Sequence, residues 1–149
     1  KQFTIQAAHK SVSIHTRIEE NMPNITADCG RITWVFNNLI SNALKYTNPG
    51  NEIFIDAFIK NEKMYAMVKD NGIGIPEEFK EKIFDKYVQV KGQELEARGT
   101  GLGLAVVKEI ITNHGGEIWC ESKLDTGSTF TFTIPLSFTE VLDEKSFGC

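Results

Sequence analysis

The chain has 149 residues and a formal net charge of −4, with 41% apolar and 24% charged residues. That is the size and make-up of one globular domain able to bury a core without staples, and the negative balance argues against a general nucleic-acid binder. Three widely spaced cysteines, Cys29, Cys120 and Cys149, form no CxxC pair and no zinc spacing, which favours a reducing, cytoplasmic setting; no run approaches 18 apolar residues and no signal peptide is evident.

Val12 to Glu19 alternate loosely and are expected as a strand, closed by a turn at Asn21-Met22-Pro23-Asn24. A helix is expected from Asp28, its N-cap, to the stop at Asn48-Pro49-Gly50. Ile32, Val35, Phe36, Leu39, Ile40, Ala43 and Leu44 form its apolar stripe. Two strands follow. Ile53, Ile55, Ala57 and Ile59 share one face of the first, and Met64 to Lys69 pair with it across Asn61-Glu62. Pro76 suits the first turn of a short helix, with Glu77 and Glu78 behind it. Val90 to Arg98 shows no apolar periodicity and is expected as a loop. A further helix, about Leu102 to Asn113, places Leu102, Ala105, Val106, Glu109, Ile110 and Asn113 at helical spacing and ends at His114-Gly115-Gly116. A hairpin pairs Glu117–Ser122 with Thr129–Ile134 around Asp125-Thr126-Gly127-Ser128. In its second strand Phe130, Phe132 and Ile134 are expected to face the core, and the alternating threonines a polar or wet face. Together these elements predict a two-layer α/β sandwich, with three main helices on one face of a mixed, mostly antiparallel sheet of about five strands.

Four stretches carry chemistry. Asn38, Asn42, Lys45 and Tyr46 project from one side of the first long helix. They are either a solvated flank or a cation and phosphate site, in which an amide oxygen of Asn42 joins phosphates and waters around magnesium and Lys45 adds a point charge. Asp70-Asn71-Gly72-Ile73-Gly74 ends a strand. It reads as a common turn, or as an adenine reader whose carboxylate accepts from the exocyclic amine. In that reading Gly72 and Gly74 let backbone approach the base, and Ile75 packs on the ring. Guanine presents an acceptor at that place, a mismatch costing about 1–3 kcal/mol. Gly99-Thr100-Gly101-Leu102-Gly103-Leu104 enters a helix N-terminus, where free N–H groups and the dipole favour phosphate. No strand precedes it and no Gly-Lys-Ser/Thr closes it, so the dinucleotide fingerprint and the P-loop are both excluded. Arg98, Lys91 and Lys86 are solvated charges or phosphate contacts. Gly127-Ser128-Thr129-Phe130 is expected to close the site, with Thr129 and Phe130 as its wall.

Taken in order, Asn38 through Tyr46, Asp70 through Ile75, Ile83-Phe84 and Gly99 through Leu104 resemble the N, G1, F and G2 boxes of sensor histidine kinases. The resemblance spans about Val12 to Pro135 and points to their catalytic, ATP-binding domain, in the wider family of gyrase, the heat-shock chaperone ATPase and the mismatch-repair ATPase. It implies the Bergerat fold, with Asn42 on magnesium, Lys45 near phosphate, Tyr46 near the nucleotide and Asp70 on adenine. ATP and Mg2+ are the implied cofactors, and a flexible lid from about Phe84 to Arg98 is implied as well. The wider family's ATPases carry a glutamate as general base where this chain has Asn38. An amide cannot take a proton from water, so no catalytic base is assigned and efficient hydrolysis is not expected. Gln89 stands where many of these kinases have an arginine.

The kinases phosphorylate a histidine on a separate dimerisation domain. The sequences after His9, His15 and His114 do not fit that acceptor. The expected organisation is therefore a linker remnant of the dimerisation domain over 1–10, the ATP-binding domain over 11–136 and a tail over 137–149. Expected partners are the protein's own phosphoacceptor domain and, indirectly, a response regulator. This chain is expected to be a monomer and its parent a homodimer, with any membrane anchor elsewhere. A serine kinase of the anti-sigma-factor type and a nucleotide sensor without transfer are the alternatives.

Overall fold

The computed structural model describes residues 2–88 and 101–136. Gln2–His9 form helix α1 and Ser13–Ile18 strand β1. Phe3 and Ala7, one helical turn apart, pack on the core, Ala7 fully buried. Residues expected as a linker remnant are thus helical, and Lys10 Nζ then donates to Leu44 O and Lys45 O at 2.5 and 2.9 Å. That lysine satisfies carbonyls left open at the end of the next helix.

Helix α2, Cys29–Tyr46, starts as expected: the Asp28 carboxylate accepts from Arg31 N–H at 2.9 Å. Val35, Leu39, Ile40, Ala43 and Leu44 are buried, with Ile32 and Phe36 beside them. Thr47 ends the helix, its hydroxyl donating to Ala43 O. Strands β2, Glu52–Lys60, and β3, Lys63–Asp70, form an antiparallel hairpin. Its turn at Asn61-Glu62 has both residues at positive φ, as a two-residue hairpin connection requires. β1 pairs with β2 in parallel, so the chain between them must cross over, and α2 is that crossover.

Two single turns of 3-10 helix, Glu77–Phe79 and Lys82–Phe84, follow. Helix α3 is Gly103–Asn113. Strands β4, Ile118–Lys123, and β5, Gly127–Pro135, close an antiparallel hairpin. The sheet order is β1-β2-β3-β5-β4. Ile53, Ala66, Val68, Phe132 and Ile134 face α2 and α3 to make one core.

Two expectations shift. On α3 the buried residues are Val107, Ile110 and Ile111, while Val106, Glu109 and Asn113 are exposed. The apolar run supports either stripe by spacing; the one that excludes a charged Glu109 buries more apolar surface. On β5, Thr131 and Thr133 are buried, not wet. Thr131 lies opposite Met67 and Trp119, and Thr133 opposite Tyr65, whose ring meets Trp119 edge-on at 6.4 Å. These large side chains, from the strands on either side, roof the outer face of β5.

Candidate functional site

Three chain segments meet at the end of β3. Asp70 is its last residue, only 5% exposed, and lies in register with Ser128 of β5 and Ile53 of β2. Its carboxylate accepts the Gly72 N–H at 2.9 Å and the Ser128 backbone N–H. Burial pushes the Asp70 pKa above its ordinary 3.8, and the two backbone donors pull it back in part. A carboxylate held this way keeps lone pairs free to accept from a ligand.

The loop after Asp70 is pinned on both sides. Asn71 joins it to β2, its side-chain oxygen accepting from Glu52 N–H at 2.8 Å and its carbonyl from Asn51 Nδ2 at 2.9 Å. Ile73 N–H donates to Tyr46 O at 3.3 Å, tying the loop to the end of α2. Gly72 packs so close that a Cβ there would lie 2.3 Å from Tyr46 O. On the far side Ile73 O accepts from Asp125 N–H at 2.8 Å, and Ile75 N–H donates to Ser122 Oγ at 2.8 Å. Gly74, at positive φ, sits against the Lys123 backbone.

Asn38, Asn42, Lys45 and Tyr46 are all half-buried along α2, as a row flanking the apolar stripe. Lys45 Nζ lies 5.1 Å from the Tyr46 ring centroid, a cation–π arrangement. The start of α3 comes to the same row: a Cβ on Gly103 would lie 2.7 Å from Asn38 Oδ1. The N-cap residue of α3 is Leu102, which offers no side-chain acceptor. Its first-turn N–H groups thus have no side-chain cap among the described residues, and with the helix dipole they suit an anion. Gly101 O accepts from Tyr87 N–H at 2.9 Å, and Leu104 packs on the core. Of the lid expected from about Phe84 to Arg98, Phe84 is a buried residue of the core, and the part from Gln89 on, with Lys91 and Arg98, lies outside the described residues, as do Gly99 and Thr100.

β5 closes the site by strand parity. Gly127 packs on the backbone of Asp70 and Asn71. Ser128, directly opposite Asp70, shares its face and is 6% exposed. Thr129 points to the other face of the sheet, and Phe130 is a core residue meeting Phe84 edge-on at 6.2 Å. Within the stretch expected to close the site it is therefore Ser128, not Thr129 or Phe130, that shares the face of the carboxylate, and its neighbour on β4, Ser122, is the polar group that sequence reasoning passes over. The signal that finds them is alternation counted from Asp70 through the register.

The arrangement supplies a buried acceptor on one side and, along α2 and the start of α3, amides, a lysine and uncapped N–H groups on the other. A donor-bearing heterocycle at the first and phosphates at the second match it. A family profile described as histidine kinase-, DNA gyrase B-, and HSP90-like ATPase matches residues 27–137. The chain is 43% identical over 128 residues to the sensor histidine kinase WalK of Bacillus subtilis, covering 81% of this chain and 21% of WalK. It thus spans about a fifth of that relative. The catalytic domain of histidine kinase ThkA superposes with a TM-score of 0.79 at 34% identity, covering 91% of this chain and 86% of that one. ThkA has also been solved in complex with the response regulator TrrA, at a TM-score of 0.75 and 30% identity, covering 91% of this chain and 37% of that one. Full-length ShkA in complex with AMPPNP superposes at a TM-score of 0.82 and 26% identity, covering 94% of this chain and 29% of that one. The chain belongs to the histidine kinase-, DNA gyrase B- and HSP90-like ATPase family, and within it to the catalytic domains of sensor histidine kinases.

Proposed function

We propose that this domain binds Mg-ATP and presents the γ-phosphate to a histidine carried by a separate dimerisation domain of the same protein. The observation that carries the reading is the buried Asp70 carboxylate, held by the Gly72 and Ser128 backbone N–H groups beside a loop tied to α2. Asp70 accepts from the adenine amine, and Gly72 and Gly74 keep the loop close enough for the base to seat. The uncapped start of α3 and Lys45 take phosphate charge. Asn42 holds magnesium through its amide oxygen, with Tyr46 beside the nucleotide. Bound magnesium supplies charge neutralisation on the phosphates.

Asn38 lies against Gly103 at the start of α3, where its amide contacts but cannot deprotonate. The γ-phosphate is thereby spared from water and left for the acceptor, so transfer rests on positioning and charge. The named relatives are histidine kinases, which favours histidine over serine as acceptor. A response regulator is the expected downstream partner, as a regulator accompanies ThkA. Among the described residues no helix is long and apolar enough to cross a membrane.

The test is transfer in trans. The domain, γ-labelled ATP and magnesium are mixed with a phosphoacceptor dimerisation domain. Acid-labile, base-stable label on that domain is expected. Label stable to acid, or release of free phosphate alone, would overturn the proposal.

A further inference from the structure

The hydroxyl of Ser122 has three partners, which is all a hydroxyl can hold: one proton to give and two lone pairs. Ile75 N–H donates into it at 2.8 Å, Gly127 O accepts from it at 2.9 Å, and Ser128 Oγ lies 2.8 Å away. A carbonyl can only accept, so the Ser122 proton goes to Gly127 O. The remaining lone pair of Ser122 must then receive the Ser128 proton. Ser128 is left facing the site with lone pairs alone. It stands opposite Asp70 in the register, on the same face, both of them buried.

We infer that Ser122 is a specificity-determining positioning residue: by consuming the Ser128 proton it makes the hydroxyl that stands opposite Asp70 acceptor-only. The inference rests on the nucleotide reading above and adds a residue that touches no ligand. An ionised carboxylate beside an acceptor-only hydroxyl favours a base edge that brings N–H donors, as the amino group of adenine does. An edge bringing a carbonyl at the same place meets the lone pairs of Asp70 and of Ser128, whose rotor cannot turn a proton toward it. Without Ser122 Oγ, the Ser128 hydroxyl is free to rotate and donate, and an oxo-purine then finds a partner. The same oxygen also fixes Ile75 N–H, so the loop that begins at Asp70 is aimed by the atom that sets the polarity of Ser128.

The test measures dissociation constants of this domain for ATP and GTP analogues with magnesium, by calorimetry, in the unaltered chain, Ser122→Ala, Ser122→Thr, Ser128→Ala and Asp70→Asn. Ser122→Ala is expected to cut the preference for the adenine nucleotide about tenfold, the scale of one buried hydrogen-bond mismatch. Ser122→Thr keeps the oxygen and is expected to keep the preference. An unchanged preference in Ser122→Ala overturns the inference. Should that variant not fold, Ser128→Ala decides instead: the acceptor itself is gone, and an unchanged preference there overturns the inference equally. Asp70→Asn separates the two levels. Loss of binding there with an unchanged preference in Ser122→Ala removes Ser122 alone, whereas retained binding in Asp70→Asn removes the adenine site itself.

Discussion

The Asp28 backbone N–H donates to Nε2 of His114 across 3.1 Å, while Nδ1 of the same ring donates to Ile110 O at 2.7 Å. His114 is buried and caps α3, and Asp28 caps α2, so one imidazole ties the end of one helix to the beginning of the other. At the opposite end of this pair Gly103 abuts Asn38. α3 is thereby fixed at two points against α2, and the glycine-rich entry to α3 is held beside the asparagine row.

Replacing His114 by Ala removes both bonds and leaves the Asp28 N–H without its acceptor. A stability loss of about 2–4 kcal/mol is expected in denaturant titration. A loss within the error of the titration would show that the ring does not join the helices.

Asp70 ties binding to stability with opposite signs. Burial raises its pKa above 3.8, so between 3.8 and the raised value the folded chain holds a proton that the unfolded chain has lost. Stability therefore falls as pH rises through that window, and above it the buried charge is a standing cost. Asp70→Asn is expected to melt no lower than the unaltered domain at neutral pH and to lose this slope, while ATP-analogue affinity drops about 10- to 100-fold. Melting curves over a pH series, with calorimetry, check both. Matching pH slopes in the two proteins would contradict the assignment.

Asn42→Ala deletes the proposed magnesium ligand without adding charge. The enhancement of nucleotide binding by magnesium is expected to shrink about tenfold, with magnesium-free binding little changed, because ligand count governs a hard-cation site. Equal losses with and without the metal would assign Asn42 some other role.

Two glycines predict opposite outcomes. A methyl at Gly72 meets backbone, 2.3 Å from Tyr46 O, which only a shift of the helix end relieves. Gly72→Ala is expected to lower stability by about 2 kcal/mol or more. A methyl at Gly103 meets the end of a side chain, Asn38 Oδ1 at 2.7 Å, which can rotate away. Alanine also loses less backbone freedom than glycine on entering a helix. Gly103→Ala is expected to keep or raise the melting temperature while weakening nucleotide binding through the displaced Asn38. A destabilised Gly103→Ala with normal binding would refute that pairing.

Local signals carry much of this fold. The Asp28 cap, the α2 stripe and the Asn61-Glu62 turn depend on neighbours in sequence, and the structure has them as expected. The α3 face differs from expectation because its run of valines and isoleucines fits two stripes, and the choice rests on what packs against it. Ser122 is silent in sequence, and Ser128 is not told from its neighbours Thr129 and Phe130, because their importance comes from register: which residue stands opposite Asp70 is set by pairing between strands over fifty residues apart. Likewise the His114–Asp28 bond spans 86 positions, and nothing near either residue announces it.

Cys120 offers a check on the interior beside Asp70 that needs no ligand. It lies on β4 opposite Phe130, one rung pair from the Ser122–Ser128–Asp70 row, and its thiol is free. Burial, then the Asp70 charge, push its pKa up to about 12 from 9.0, with Lys80 pulling weakly the other way. The nucleophile in alkylation is the thiolate, so at pH 8 its population is lower than in the unfolded chain by a factor on the order of 1,000. The sign for stability follows: above pH 9.0 the unfolded chain sheds this proton first, so stability declines toward pH 12. Iodoacetamide labelling of the Cys120 peptide, followed by mass spectrometry, is expected to be slower by at least about a hundredfold in the folded domain than in denaturant. Comparable rates would mean that the thiol meets water freely, and that the face of the sheet carrying Asp70 is far less enclosed than its burial indicates.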